Sequence, residues 1–540
     1  MKRTTLALML SAALAALASP AMSDTGPSTT TAPYLHAIDA GVELTSILTT
    51  GDSAGGYVFS GIPDGLGAYD NDDGTFTVLV NHELFADASG PVGIVRSHGG
   101  KGAFVSEWVI DKKTLEVKSG ADLMKKVYQK GATGWELVPA APALPVTDPA
   151  FIATLGKTNA FARFCSADLA DRKAFFNGAT RKGTKARIFL NGEESGPVYQ
   201  RGLAHIATGP AKGTTYVLPW AASINSSWEN FLANPHSGDR TVVIGNADGG
   251  TNGIYVYVGN KTNVGNDIER AGLVGGTVYR VAVNGALPET RAVDAGLGLV
   301  PNARGNYEGS FSLVGGDVAT NNSSTKFLRP EDGAWDTKNH NRYFFNTTDQ
   351  MDAAKDGLSS GVIGRSRVWA LTFKDSSKPE LGGSIEMLLD GTSAKGDYQM
   401  LDNMTVMVDG TLLLQEDPGN NAHNAKVWKL NPATGSLVKL AGADVSLFGE
   451  IDPGTGAVTT GSITADEETS GVIDVTDLLD REDDRTYALL VVQNHKVSGN
   501  PVTVEGGQLV LLSQPAPKHD DGDGHHGGRE DGERDEDNRN

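Results

Sequence analysis

The chain has 540 residues, 39% of them hydrophobic, and a formal net charge of −20. An acidic surface of this kind repels nucleic acid and anionic membranes and attracts cations, so neither a nucleic-acid nor a membrane partner is expected. The 67 glycines and 23 prolines favour many turns over long helices.

Residues 1–23 read as a secretory signal, with Lys2 and Arg3 ahead of an apolar stretch from Leu6 to Leu17 and a small-residue site at Ala21-Met22-Ser23. The apolar stretch is short for a membrane span, and no twin arginine is present. The mature protein is therefore expected in the periplasm or outside the cell. Cys165 is the single cysteine, so no intrachain disulfide can form. Residues 24–35 form a Ser/Thr/Pro-rich lead-in to a β domain that extends over 24–517. Residues 518–540 make an acidic, His-containing tail with almost nothing apolar, expected to be disordered.

Within the β domain, short Val/Ile/Tyr/Phe/Thr runs alternate with Gly/Asn/Asp punctuation. Six times, such a run ends in acids, amides or histidine, and a second strand with an aromatic follows. The first strands are FTVLVNHE (to Glu83), ARIFLNGEE (to Glu194), TVVIGNAD (to Asp248), RYFFNTTD (to Asp349), GTLLLQED (to Asp417) and YALLVVQNH (to His495). Residues 122–130 and 149–176 carry helical patterns, and 227–235 suggests one helical turn. The expectation is an all-β, six-bladed β-propeller with a helical insertion at about 120–180, between the first and second pairs. A propeller aligns equivalent strand ends, so the six polar clusters would face one another.

Adjacent carboxylates such as Glu193-Glu194 and Glu416-Asp417 are costly to assemble unless a cation neutralises them. Ca²⁺ takes six to eight oxygen ligands from carboxylates, amides and carbonyls, which suits this set. Further acids lie ahead of later strand pairs: Glu229 after Trp228, Glu331 and Asp332 after Arg329-Pro330, Asp402-Asn403, and Glu468. An arginine beside such a site can clamp a phosphate oxygen; a salt bridge to Glu331 or Asp332 explains Arg329 equally well. Nucleotide-binding glycine loops, HExxH and CxxC pairs are missing from the sequence.

In order, VNHE (80–83), EE (193–194), SWEN (Glu229), GNAD (245–248), RPE (329–331), Asp402-Asn403, QED (415–417), Glu468-Thr469 and Gln493 with His495 resemble the PhoX-type alkaline phosphatases over most of residues 55–513. The resemblance implies a six-bladed propeller that hydrolyses phosphate monoesters with calcium and a pair of iron ions at the channel mouth. Carried over by motif, Glu193, Glu194, Glu229 and Glu331 are metal ligands, and Arg329 clamps phosphate, with Glu331 beside it at the catalytic centre. Glu83, Asp248, Asp402, Asn403, Glu416, Asp417 and Glu468 fill the calcium shell. Two departures stand out. The family places an iron-bridging cysteine just before the EE pair, where this chain has Gly192, and GNADGG replaces a GDD pattern. Loss of the thiolate disfavours iron, so Ca²⁺ is the expected metal. The reading is a secreted, monomeric, metal-dependent phosphatase acting on a small phosphorylated substrate. A non-catalytic calcium-stabilised propeller binding module and a calcium-only phytase- or lactonase-like hydrolase remain open.

Overall fold

The structure, a computed structural model, describes residues 22–516 apart from 197, 225, 316–322, 350–365, 392–397, 420–422, 450–460 and 465. Most of the expected signal segment and all of the acidic tail lie outside the described residues.

The strands alternate side chains between two buried faces. In Thr75–His82, Phe76, Val78 and Val80 enter one apolar cluster while Leu79 enters another. In Arg485–Asn494, Tyr487, Leu489 and Val491 join the first of these, and Ala488, Leu490 and Val492 face a third. A period of two with both faces apolar is what a sheet needs when it is packed between two other sheets. The described chain is accordingly a propeller-like β fold.

Six strands line its axis: β1 (Pro63–Asp70), β2 (Ala167–Leu169), β3 (Asn230–Ala233), β4 (Pro330–Trp335), β5 (Leu401–Val406) and β6 (Glu467–Asp474). Each touches the next, and β6 touches β1. β1 heads a four-stranded sheet and β2 a six-stranded one. β3 and β4 are the two ends of one long sheet whose halves join through Tyr307–Val314 and Gly383–Asp390, and β5 and β6 each head five strands. The ring is closed by the chain's two ends: Glu43–Thr49 pairs antiparallel with Gly506–Pro515, with Leu44 opposite Leu512. Leu35–Ala37 adds to the outer edge of the β5 sheet.

The expected helical insertion is not what forms. Lys126–Lys130 is a strand, parallel to Thr214–Val217, and Trp135–Leu137 pairs with it at the sheet edge. Val127 is buried and Lys126 exposed, a period of two that the run DLMKKVYQK hides behind good helix formers. Within 149–176 only Pro149–Ile152 and Arg172–Phe175 are helical, one turn each, and β2 lies between them. Residues 227–235 hold β3 rather than a helical turn. Gly202–Ile206, a strand without a clear sequence signal, separates the two strands expected to pair second.

Leu512 is fully buried in the closing strand, whereas Val438 is 37% exposed on an outer one. Leu512→Ala is expected to lower the unfolding free energy by about 2–5 kcal/mol, and Val438→Ala by less than about 0.5 kcal/mol, as read from urea titrations. Equal small losses would show that the terminal pairing does not hold the ring.

Candidate metal centre

Each inner strand runs antiparallel to the second strand of its sheet, so the start of one and the end of the other share one rim. The second strands end at Glu83, Glu194, Asp248, Asp417 and Gln493. The six inner strands start with Asp64, Cys165, Glu229, Glu331, Asp402 and Glu468, all at or within two residues of the first strand residue. Every inner strand thus delivers one metal-competent group to the same end of the axis.

The backbone is irregular where this happens. The ladder shifts register between Pro63 and Leu66, between Pro330 and Gly333, and between Leu401 and Met404, which brackets Asp64, Glu331 and Asp402. Bulges of this kind re-aim side chains beside sites. Ile62, Arg163, Arg329 and Met400, just ahead of four of the inner strands, have φ of 51°, 47°, 60° and 50°. Left-handed backbone at non-glycine residues is costly and is kept only where the surroundings enforce it.

The donors form three overlapping groups whose ligand atoms lie within 4.8 Å of one another: Asp64, Glu83 and Cys165; Cys165, Glu194 and Glu229; Glu229, Glu331 and Asp402. Cys165 Sγ is 2.9 Å from Glu194 Oε2 and 3.2 Å from Glu83 Oε1. The Asn403 amide donates to Asp64 Oδ1 at 3.3 Å, and Gln493 Nε2 donates to Glu83 Oε2 at 3.1 Å. Among the described residues, the buried oxygens Asn403 Oδ1 and Gln493 Oε1 have no hydrogen-bond partner. Buried carboxylates, a thiol and orphaned amide oxygens fit a cluster of cations.

Electrostatics agree. Burial pushes Asp64 well above the carboxylate range, helped by Glu83, Glu468 and Asp402. Burial does the same to Glu229, with Asp402 and Glu331 beside it, to Glu331, with Asp248, and to Asp402, with Asp417 and Glu468. Glu194 rises to about 8 through burial and its neighbour Asp248, against the pull of Arg163, and Glu468 to about 8 through burial and Asp417. Burial and then Glu194 and Glu83 push the Cys165 thiol up. Glu83 alone among these is held low: burial opposes it, but the Arg163 guanidinium and the Gln493 amide outweigh burial. Two arginines sit at the rim. Arg163 Nε is 2.6 Å from Glu83 Oε1 and its Nη2 2.9 Å from Glu194 Oε2. Arg329 grips Asp248 through Nε and Nη2 at 2.9 and 3.1 Å, and its Nη2 is 2.9 Å from Glu331 Oε1.

Glu83, Glu194, Glu229, Glu331, Asp402 and Asn403 come together, Asp248 joins them through Arg329, and the charges of Asp417 and Glu468 are felt at Asp402. Glu468 also lies 3.7 Å from His495 Nε2. Two expected ligands do not join. Glu193 points into its sheet, where both its oxygens bind Arg201 and it accepts from Ala162 N. Glu416 accepts from Trp428 Nε1, Gln399 N and His423 Nε2. Side chains alternate along an extended strand, so only one member of each acidic pair can face the axis. Asp64, Cys165 and Arg163 belong to the site without a sequence motif that marks them. Cys165 falls within the expected helical insertion, yet it leads into β2. Gly192 lacks a side chain for a packing reason: a Cβ there would lie 2.4 Å from Trp228 Cβ and 2.9 Å from Trp228 O. The sulfur therefore enters from position 165, and the ground for discounting iron is removed.

Two outcomes follow. Glu194 and Glu468 keep their protons in the folded chain up to about pH 8, against an ordinary value of 4.5. Stabilisation from these groups is full below about pH 4.5 and is lost as pH rises through about 8. The chelated protein is expected to melt at a lower temperature at pH 9 than at pH 6, and added divalent cation should flatten that dependence. A chelated protein equally stable at both pH values would contradict the buried cluster. Gly192→Cys should destabilise the fold by at least about 1–3 kcal/mol from overpacking without adding metal; a stable variant with increased iron uptake would overturn the placement of Gly192 against Trp228.

No protein-family model matches the chain, and no curated protein matches it in sequence. Among solved structures, Pseudomonas fluorescens PhoX in complex with vanadate, a transition state analogue, is similar over 88% of this chain and 95% of its own, with 11% identity and a TM-score of 0.53. A glucose dehydrogenase matches over 73% of this chain and 86% of its own at 11% identity, with a TM-score of 0.30. The Burkholderia pseudomallei lectin BP39L covers 81% of this chain and 94% of its own at 9% identity, with a TM-score of 0.29. The first of these similarities shows a PhoX-like fold.

Proposed function

We propose that the chain is a six-bladed, PhoX-like phosphatase that hydrolyses phosphate monoesters at a mixed-metal site on the rim described above. The observation that carries this reading is the placement of Cys165 between Glu83, Glu194 and Glu229, in continuity with Glu331 and Asp402 and beside Arg329. The fold similarity to PhoX and the ring of six inner strands support the blade count. A thiolate among carboxylates suits iron, and the carboxylate–amide set around Asp64, Asn403 and Asp402 suits calcium. On this reading Cys165, Glu194 and Glu229 hold the softer metal, and Asp64, Glu83, Glu331, Asp402 and Asn403 hold the harder ones.

Cations held by these residues would supply Lewis-acid polarisation of phosphoryl oxygens and help activate an attacking water. The chain's own residues do the rest. Arg329, 36% exposed and left-handed at the rim, presents a planar fork that suits two phosphoryl oxygens. Asp248 fixes that fork from behind. Phosphoryl transfer asks mainly for positioning and charge neutralisation, which this arrangement supplies without a protein nucleophile. Export by the amino-terminal signal segment would place the protein where calcium is abundant. No helix of the described residues is long and apolar enough to cross a membrane.

The purified protein is expected to contain iron and calcium, to hydrolyse a chromogenic phosphate monoester, to lose that activity on chelation and to be inhibited by vanadate. Cys165→Ser and Glu194→Gln should each lower kcat/KM by at least about 100-fold with far-UV circular dichroism unchanged. Unaltered activity in both variants would remove these residues from the site. A folded, metal-loaded wild type without phosphatase activity would favour the non-catalytic, calcium-stabilised module.

A further inference from the structure

Two buried arginines away from the rim, Arg201 and Arg367, serve the fold alone. Arg201 is 8% exposed, pairs with Glu193, and gives its remaining donors to the carbonyls of Thr158 and Ala160. Arg367 is fully buried between Glu289 and Asp390 and is capped by the carbonyls of Thr290 and Ala292. Arg163 is built differently. It is 35% exposed, and its guanidinium pairs with two carboxylates of the candidate metal centre, Glu83 and Glu194. In this it matches Arg329, which is 36% exposed and bound to Asp248 and Glu331 of the same centre.

The backbone treats the two alike. Arg163 has φ 47° and Arg329 φ 60°, conformations that a side-chain-bearing residue adopts at a cost and that need enforcement. For Arg163 the enforcement is visible: its N–H donates to Leu84 O at 2.8 Å, and its carbonyl accepts from Glu194 N at 2.9 Å, which ties it to the first and second sheets at once. The carbonyl of Arg329 accepts from Thr348 N at 3.0 Å. Each residue sits just ahead of an inner strand, one before β2 and the other before β4. Between the two guanidinium groups lie Glu194 and Asp248, so the rim reads Glu83, Arg163, Glu194, Asp248, Arg329, Glu331. The same left-handed backbone recurs at Ile62 and Met400, so it belongs to the rim as a whole; what singles out the two arginines is a partly open guanidinium laid on carboxylates of the centre.

We propose that Arg163 is the second jaw of a two-arginine anion clamp that, with Arg329, grips the phosphoryl group of the substrate over the metal centre. The proposal rests on the phosphatase reading and extends it to how monoesters are told from diesters. Two guanidinium forks on one rim can satisfy a dianionic group with three terminal oxygens, as in a phosphate monoester. A diester offers one charge and two terminal oxygens and leaves one fork unfilled. Cations bound to Glu83, Glu194 and Glu331 would compete for carboxylates that now pair with the arginines, opening donors on both for the incoming anion while Asp248 still holds Arg329.

The test uses the metal-loaded, full-length protein and inorganic phosphate as probe. Binding is measured by calorimetry, metal content by elemental analysis, and kcat/KM on a monoester and a diester in parallel. For Arg163→Lys, phosphate Kd is expected to rise about 10-fold, or about 1.4 kcal/mol, and for Arg163→Gln about 100-fold. Metal content should hold, and monoester kcat/KM should fall more than diester kcat/KM. Phosphate binding equal to wild type in both variants, or a loss that excess metal fully restores, would overturn the clamp and leave Arg163 as a counterion. Arg163→Lys keeps the charge, so it decides the question even if Arg163→Gln does not fold. A wild type that binds phosphate but hydrolyses no ester sinks the phosphatase reading alone, since the variants still judge the clamp by binding. A wild type that binds no phosphate sinks both.

Discussion

Repulsion among buried anions is the constraint around which this rim is organised. Asp64, Glu83, Glu194, Glu229, Glu331, Asp402 and Glu468 are all buried or nearly so at one end of the axis, with Cys165 among them. Two unit charges 4 Å apart cost about 4 kcal/mol even at an effective dielectric of 20. A handful of such pairs equals the whole net stability of a typical domain. The chain alone meets this cost by holding most of these groups protonated and by laying Arg163 and Arg329 across the rest. Cations meet it more fully, and the orphaned amide oxygens of Asn403 and Gln493 are already in place for them.

A closed ring makes the convergence possible. Because every sheet presents its inner strand to the same axis in the same direction, a donor at the start of each strand needs no long loop to reach the centre. The register shifts at Pro63–Leu66, Pro330–Gly333 and Leu401–Met404 then turn individual carboxylates inward. The rigidity comes from sheets whose two faces are both apolar, and from the terminal strands that lock Glu43–Thr49 onto Gly506–Pro515. Strain at Arg163 and Arg329 is carried by that frame, which separates the cost of positioning from the chemistry at the rim.

The second strand of each sheet is legible in the sequence, because these are long apolar runs that end abruptly in polar residues. The inner strands are concealed. β2 and β3 are three and four residues long and hold Asp168 and Asn230, so neither looks like a strand in isolation. For that reason Cys165 and Arg163 read as part of a helical insertion, although they stand at the mouth of the ring. Helix formers such as Lys125, Lys126 and Leu123 conceal a strand whose parallel partner, Thr214–Val217, lies far along the chain. Doublets mislead in a simpler way. Glu193-Glu194 and Glu416-Asp417 look like paired ligands, but strand alternation turns Glu193 to Arg201 and Glu416 to Trp428 and His423. A missing thiol at 192 does not leave the site without one: contact with Trp228 requires glycine there, and the thiol comes from elsewhere in the chain.

The central claim is that the six inner strands of this ring assemble one polynuclear cation site with Cys165 as a ligand. Its most direct test is an anomalous-difference map from crystals of the protein as purified. Strong peaks are expected within bonding distance of Cys165 Sγ and the carboxylates of Glu194 and Glu229, and of the Glu229, Glu331 and Asp402 carboxylates, with Arg163 turned away from Glu83 and Glu194 and Arg329 from Glu331. A map without peaks at the rim, with Arg163 still bridging Glu83 and Glu194 and Arg329 still on Glu331, would contradict that claim.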